Sequence, residues 1–207
     1  MATGLFIAIE GGEGAGKSTH SKRLAEYLQS LGHEVVLTRE PGGTPTGEKI
    51  RNILLDPEIT DMPDHTEALL FAASRADHAA NLIRPALERG DVVITDRYFD
   101  SSIAYQGAGR ILSSSEVARI NRWATESLFP TLTIILDQPA EVGLSRIKNA
   151  DRLESESIEF HNRVRQEYLQ LAGMDPERYL VIDAQRSIIE IHQEITARIA
   201  VLTSKKS

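Results

Sequence analysis

The sequence predicts an α/β protein built on a five-stranded parallel sheet with helices on both faces. Three observations carry this. Short apolar runs alternate with helical patterns along the chain, the order of repeated βα units. The runs are continuous rather than alternating, as in strands buried on both sides. Residues 5–19 join an apolar run, a glycine-rich loop and a helix start, which is the arrangement that cradles a phosphate.

The first expected strand is Leu5–Ile9. The loop Gly11, Gly12, Glu13, Gly14, Ala15, Gly16 follows, then Lys17, Ser18 and Thr19 open a helix with Leu24, Ala25, Leu28 and Leu31 on one face. Gly11–Ser18 matches G-x-x-x-x-G-K-[ST] at every fixed position. Only glycines let backbone N–H groups converge on one small anion. The helix N-terminus adds partial positive charge, Lys17 reaches the terminal phosphates, and the Ser18 hydroxyl can ligate Mg²⁺. Average residue frequencies give such a match by chance in roughly 1% of chains this long; the flanking strand and helix are the context a real phosphate loop needs.

The remaining strands are expected at Val35–Leu37, Val92–Thr95, Leu132–Leu136 and Leu180–Ile182. Asp64 to Glu88 reads as one long helix, with Pro63 near its start, Gly90 just past its end and Pro85 placed to bend its last turn. Ser113-x-x-Glu116 and Ser187-x-x-Glu190 are capping boxes that start two further helices. The tail Thr203–Ser207 is expected to fray.

Ligands of open α/β sheets sit beyond the carboxyl ends of the strands. After the second run comes Thr38-Arg39-Glu40-Pro41-Gly42-Gly43-Thr44, too rich in Gly and Pro for regular structure; it reads as a second phosphate loop or as a plain turn. After the third comes Asp96-Arg97-Tyr98. That carboxylate can hold Mg²⁺ and that guanidinium can bind a phosphate, although a salt bridge is the plainer reading and Asp137 competes from the fourth strand. Phe71 and Arg75, one turn apart, could stack on and hydrogen-bond a base; the pattern alone favours Phe71 in the core and Arg75 in solvent. Arg146-Ile-Lys148-Asn-Ala-Asp151-Arg152 reads as a lid or as a solvated loop.

A length of 207 residues, 41% hydrophobic and 26% charged, suits a single domain over 1–207. The net charge of −7 argues against a nucleic-acid partner. With no cysteine, disulfides, thiolate metal sites and a cysteine nucleophile are excluded, and the six histidines form no metal pattern and read as surface or half-buried. No apolar run is long enough to span a membrane and none resembles a secretory signal, so a cytoplasmic protein is expected. Neither an N-K-x-D nor a post-strand D-x-x-G element of a GTPase switch is present; Lys148-Asn-Ala-Asp151 has some of the letters in the wrong order.

Taken together, Gly11–Ser18, the 38–44 loop, Leu-Phe-Ala-Ala-Ser-Arg at 70–75, Asp-Arg-Tyr at 96–98, Asp-Ser-Ser-Ile-Ala-Tyr-Gln-Gly at 100–107 and Asp-Arg at 151–152 resemble the bacterial thymidylate kinases. These are nucleoside monophosphate kinases with a P-loop NTPase-type sheet and a short lid, here about residues 146–155. The resemblance implies ATP-dependent phosphorylation of dTMP to dTDP in dTTP biosynthesis, with Mg²⁺, in a homodimer formed through helices. It implies that Lys17 and Ser18 hold the ATP phosphates and metal, that Glu13 approaches the 3′-hydroxyl of dTMP, and that Asp96 lies near the metal. It implies Arg97 on the acceptor phosphate, Phe71 stacked on thymine, Arg75 on its O4, and Arg39, Arg51, Ser102 and Gln106 around the acceptor. Tyr105 is implied to crowd the 2′ position. Because Gly12, Glu13, Gly14 and Ala15 bring no basic residue, the lid must supply the catalytic cation; Arg152 is the first candidate and Arg146 the second, on adenine or the γ-phosphate.

Overall fold

The computed structural model describes residues 4–204, so positions 205–207 of the expected frayed tail lie outside the described residues. The rest of that tail is helical, through Ser204.

Five strands form one parallel sheet: β1 (Leu5–Gly11), β2 (Val35–Arg39), β3 (Val92–Asp96), β4 (Leu132–Asp137) and β5 (Tyr179–Asp183), in the spatial order β2-β3-β1-β4-β5. Every strand runs past its expected apolar run at the carboxyl end. The parallel ladder continues there over polar residues, pairing Ile9 with Asp96 and Arg39 with Asp96. The polar ends are therefore held by the sheet and not by a loop. Burial on both sides holds for β1, β3 and β4; the edge strands β2 and β5 are partly exposed.

The pleat of β1 divides the core. Leu5, Ile7 and Ile9 face α1 (Lys17–Ser30) and α9 (Ile188–Ser204), where Leu24, Leu28, Ile191 and Ile195 complete one cluster. Phe6 and Ala8 face the other layer, with Tyr98, Phe99 and Ile103. By the same period of two, Glu10 points into that second layer. Beside it, α8 (Ile158–Met174) contributes Phe160, Val164 and Tyr168 to a third cluster.

The long helix is present but interrupted. It runs as α3 (Asp64–His78), a π-helical turn (Ala79–Ile83) and α4 (Arg84–Arg89), closed by Gly90 at φ +90°. Pro85 has no N–H to give and its ring crowds the carbonyl four residues back; the wider π turn just before it absorbs both. The Ser187–Glu190 box forms reciprocally: Glu190 N–H donates to Ser187 Oγ at 3.3 Å, and Ser187 N–H to Glu190 Oε2 at 3.0 Å. At the other box, Ser113 Oγ accepts from Glu116 N–H at 3.3 Å and caps α6 (Ser114–Ala124). Three smaller helices complete the set: α2 (Pro45–Leu55), α5 (Phe99–Ser102) and α7 (Ala140–Leu144). A second π-helical stretch, Ile103–Gly109, carries Tyr105 and Gln106.

Of the histidines, His20, His78 and His161 are buried, against expectation. His78 is buried because both ring nitrogens find partners, Glu40 Oε1 at 2.9 Å and Thr38 Oγ1 at 2.8 Å. No helix among the described residues is long and apolar enough to cross a membrane.

Candidate active site

A cleft of about 420 Å³ lies beyond the carboxyl ends of β1, β2 and β3. Its floor is the loop from Gly11 to Gly16. Gly14 sits at φ +63°, and a Cβ there would come within 2.1 Å of the Gly143 carbonyl oxygen. Helix α7 thus presses a glycine of its own against the loop, a contact the sequence did not suggest. Glu13, Gly14, Ala15, Gly16, Lys17, Ser18 and Thr19 all line the cleft; Gly11 and Gly12 support it from behind. Lys17 Nζ donates to the Gly12 carbonyl at 2.8 Å and the Gly11 carbonyl at 3.2 Å. Burial, with Arg97 close by, holds the Lys17 ammonium below its ordinary value.

Ser18 Oγ donates to Asp96 Oδ2 at 2.7 Å. Asp137, the competing carboxylate, is instead paired with Arg165 at 2.7 Å. Two hard oxygen groups therefore meet at the phosphate loop, and they fit Mg²⁺. Among the described residues no cluster of three or more His, Asp or Glu could form a cage. A cation here would take its remaining ligands from phosphate and water, as Mg²⁺ commonly does.

Arg97 leaves the end of β3 at φ +70°, a left-handed conformation uncommon for a bulky residue. Its Nη2 donates to Glu13 Oε1 at 2.6 Å and to the Tyr105 hydroxyl at 3.0 Å, and its guanidinium lies 4.8 Å from the Tyr105 ring centroid. Tyr105 donates to the same Glu13 oxygen at 2.6 Å. Burial would raise the Glu13 carboxyl, but Arg97 and Lys17 outweigh it and bring it down to about 2. Glu13 is thus a carboxylate locked to Arg97, with the Lys17 ammonium close enough to help hold it charged.

The opposite wall comes from the 38–44 loop and α2. Arg39 pairs with Glu48 at 2.9 Å, and Arg51 donates to the Pro41 carbonyl at 2.9 Å; both line the cleft, as do Phe71 and Gln106. Phe71 also packs on Leu54 and Leu153, so it serves the core and the cleft together. Arg75 is not in solvent. It is 2% exposed, with Nε on Glu40 Oε2 at 2.6 Å and Nη1 on the Ser102 hydroxyl at 2.7 Å and on Asn121. Ser102 lies behind the cleft wall with it, and Arg75 Nη2 is the guanidinium nitrogen without a protein partner among the described residues.

The lid divides differently from the expectation. Arg152 does not face the phosphate loop: Nη1 pairs with Glu67 Oε2 at 2.6 Å and Nε donates to the Leu54 carbonyl at 2.8 Å. Glu67 is buried on α3 and also holds Arg110 and Gln106, so it captures the nearby lid arginine. Arg146 is the lid cation at the loop, donating to the Gly14 carbonyl at 3.0 Å. Asp151, Leu153 and Glu154 line the cleft. Besides these, no motif singled out Glu10, a fully buried carboxylate under the floor whose proton affinity is raised by burial and by Asp100.

Chemically, the cleft can hold one polyphosphate on the loop and one further anion at Arg97, with Lys17 and Glu13 between them. Comparison with known proteins agrees. The family model for thymidylate kinase matches residues 9–195. A thymidylate kinase of Leifsonia xyli subsp. xyli is 52% identical over 200 residues, covering 95% of this chain and 94% of the relative. One from Halothermothrix orenii is 50% identical, covering 93% and 94%. The crystal structure of thymidylate kinase from Ehrlichia chaffeensis superposes with a TM-score of 0.78 at 35% identity, over 97% of this chain and 99% of that one.

Proposed function

The chain belongs to the thymidylate kinase family, whose members phosphorylate dTMP, and from that premise we propose how its residues divide the work. ATP lies along the phosphate loop with its terminal phosphates on Lys17 and the N-terminus of α1. The dTMP phosphate is held by Arg97, its sugar between Glu13 and Tyr105, and its base on Phe71. Arg75 Nη2 is read as the donor to the base O4, Gln106 as a further base contact, and Arg39 and Arg51 as the positive wall beside the acceptor. Ser102 orients Arg75.

The acceptor oxygen is already anionic near neutral pH, so no strong base is required, and catalysis is positioning and charge neutralisation. Mg²⁺ on Ser18 and Asp96 would neutralise charge on the bridging phosphates. Lys17 and Arg146 offset charge on the transferred group, and Arg97 on the acceptor. We assign Arg146 rather than Arg152 to the transition state because its partner is a neutral carbonyl on the phosphate loop, whereas Arg152 is held by Glu67. A single domain over the whole chain carries this reaction, which we assign to the cytoplasm as a step of dTTP biosynthesis. A homodimer would cover the apolar side chains exposed on α2, α3 and α6, namely Ile53, Leu69 and Trp123.

One observation carries the reading. Arg97 and Lys17 approach the shared carboxylate Glu13 inside a single cleft that opens on the phosphate loop. The test is ADP formation from ATP with and without dTMP. We expect ADP only when dTMP is present, and reduced turnover with other nucleoside monophosphates. ADP formation indifferent to dTMP would overturn the reading.

A further inference from the structure

Consecutive residues of an extended strand point to opposite faces of the sheet. Asp96 and Arg97 are consecutive, yet both line the same cleft. The left-handed φ of +70° at Arg97 makes this possible, and such a conformation persists only where its surroundings hold it.

The surroundings that hold it are specific. Arg97 N–H donates to the Ile9 carbonyl at 2.9 Å, which ties the incoming peptide to β1. The outgoing peptide is gripped at both ends. Its carbonyl, that of Arg97, accepts from Thr95 Oγ1 at 2.8 Å. Its N–H, that of Tyr98, donates to Glu10 Oε1 at 2.8 Å. Glu10 is in turn fixed by the Ser101 hydroxyl at 2.6 Å and the Tyr168 hydroxyl at 2.9 Å, both on Oε2. Thr95 and Glu10 are fully buried and do not themselves line the cleft.

We propose that Thr95 and Glu10 are positioning residues for the acceptor side: together they lock the Arg97–Tyr98 peptide plane and so aim the Arg97 guanidinium at the acceptor phosphate. The proposal rests on the reading of Arg97 as the ligand of that phosphate. Without the clamp, the peptide can rotate, Arg97 relaxes toward extended geometry, and its side chain loses its heading toward Glu13 and Tyr105. Arg97 Nη1 also reaches the Gly11 carbonyl at 3.2 Å, but the bonds of Lys17 to the Gly11 and Gly12 carbonyls on the ATP side are made independently of the clamp.

The experiment is steady-state kinetics of Thr95→Val, Thr95→Ser and Arg97→Ala with each nucleotide varied. Valine matches threonine in shape and lacks only the hydroxyl; serine keeps the hydroxyl. We expect Thr95→Val to raise KM for dTMP by about tenfold to a hundredfold, with KM for ATP unchanged. Thr95→Ser should restore the parent values, which a purely structural role of the methyl would not allow. Should Thr95→Val lose its fold, Glu10→Met tests the other grip on the same peptide and is expected to give the same split. Equal effects on both nucleotides, no effect of either variant, or failure of serine to rescue overturns the clamp. If Arg97→Ala itself leaves KM for dTMP unchanged, it is the assignment of Arg97 that falls.

Discussion

The two sides of the cleft hold their cations in different ways. On the acceptor side, Arg97 is bound to the Glu13 carboxylate at 2.6 Å, stacked on Tyr105, and set in its heading by a buried clamp. On the donor side, Lys17 rests on the carbonyls of Gly11 and Gly12, and Arg146 on that of Gly14. An ion pair adds the attraction of opposite charges, which a neutral carbonyl does not supply. A cation on a carbonyl can exchange that partner for a phosphate oxygen with a net gain; a cation on a carboxylate has little to gain by leaving it, so Arg97 would meet the acceptor phosphate with its Glu13 bond kept. Arg97 is therefore fixed by folding, whereas Lys17 and Arg146, and on the acceptor wall Arg51 on the Pro41 carbonyl, are free to follow a nucleotide.

The lid contains both situations, which makes it the sharpest place to break the comparison. Arg146 is held by a carbonyl and Arg152 by Glu67. A transition-state arginine is worth about 10³–10⁵ in rate. Arg146→Ala should lower kcat by about 10³ or more in single-turnover assays, while Arg152→Ala should lower it less than tenfold. The reverse order would show that the Glu67 pair opens during turnover, and that the kind of partner does not predict which cation acts.

Next in size is the locked carboxylate itself. Glu13 titrates at about 2 in the folded protein against an ordinary 4.5. At about 1.4 kcal/mol per pH unit, that lowering contributes about 3 kcal/mol of stability. Because the folded value is depressed, this stability is fully present above pH 4.5 and is lost as the pH falls toward 2. Urea unfolding should therefore show Glu13→Gln less stable than the parent at neutral pH, with the gap closing through that window. A constant gap would mean that Arg97 and Lys17 do not set the charge of Glu13.

The base wall offers a smaller effect confined to one nucleotide. Stacking of a base on an aromatic ring is worth about 1–3 kcal/mol. Phe71→Ala should raise KM for dTMP by roughly five- to a hundredfold and leave KM for ATP alone, and Arg75→Ala should act in the same direction. Loss for both nucleotides alike would make these two residues part of the core only, which their packing on Leu54 and on Glu40 also allows.

How much of this was legible depended on the range of the interaction. The five strands, the phosphate loop and both caps are local patterns, and each is found where the residues put it. The strand ends were read short because Glu10 and Asp96 are polar, although the neighbouring strands carry the ladder over them. The pattern reading of Arg75 as solvent-exposed and the expected place of Arg152 missed for a common reason. A charged side chain shows nothing of a partner 35 or 85 residues away, and Glu40 and Glu67 are such partners. Thr95 is only the last residue of an expected strand in the sequence; the left-handed Arg97 two positions on reveals what its hydroxyl does.

The smallest predicted effect separates a ring from its hydroxyl. Tyr105 both donates to Glu13 and accepts from Arg97, while its ring packs under the guanidinium; on the proposed reading the ring also faces the sugar. Burial pushes its hydroxyl well above the ordinary value of 10, so it remains a donor across the working pH range. Tyr105→Phe removes two bonds, one to Glu13 and one from Arg97, but leaves those two ions paired with each other, a net loss of about 1–1.5 kcal/mol. Activity on dTMP should fall roughly five- to tenfold. The preference for deoxyribose over ribose should persist, because the ring is what fills the space at the 2′ position. Tyr105→Ala should lose that preference. If the phenylalanine variant loses it as well, the discrimination resides in the hydroxyl's hold on Glu13, and the acceptor side owes its selectivity to its charges and not to its shape.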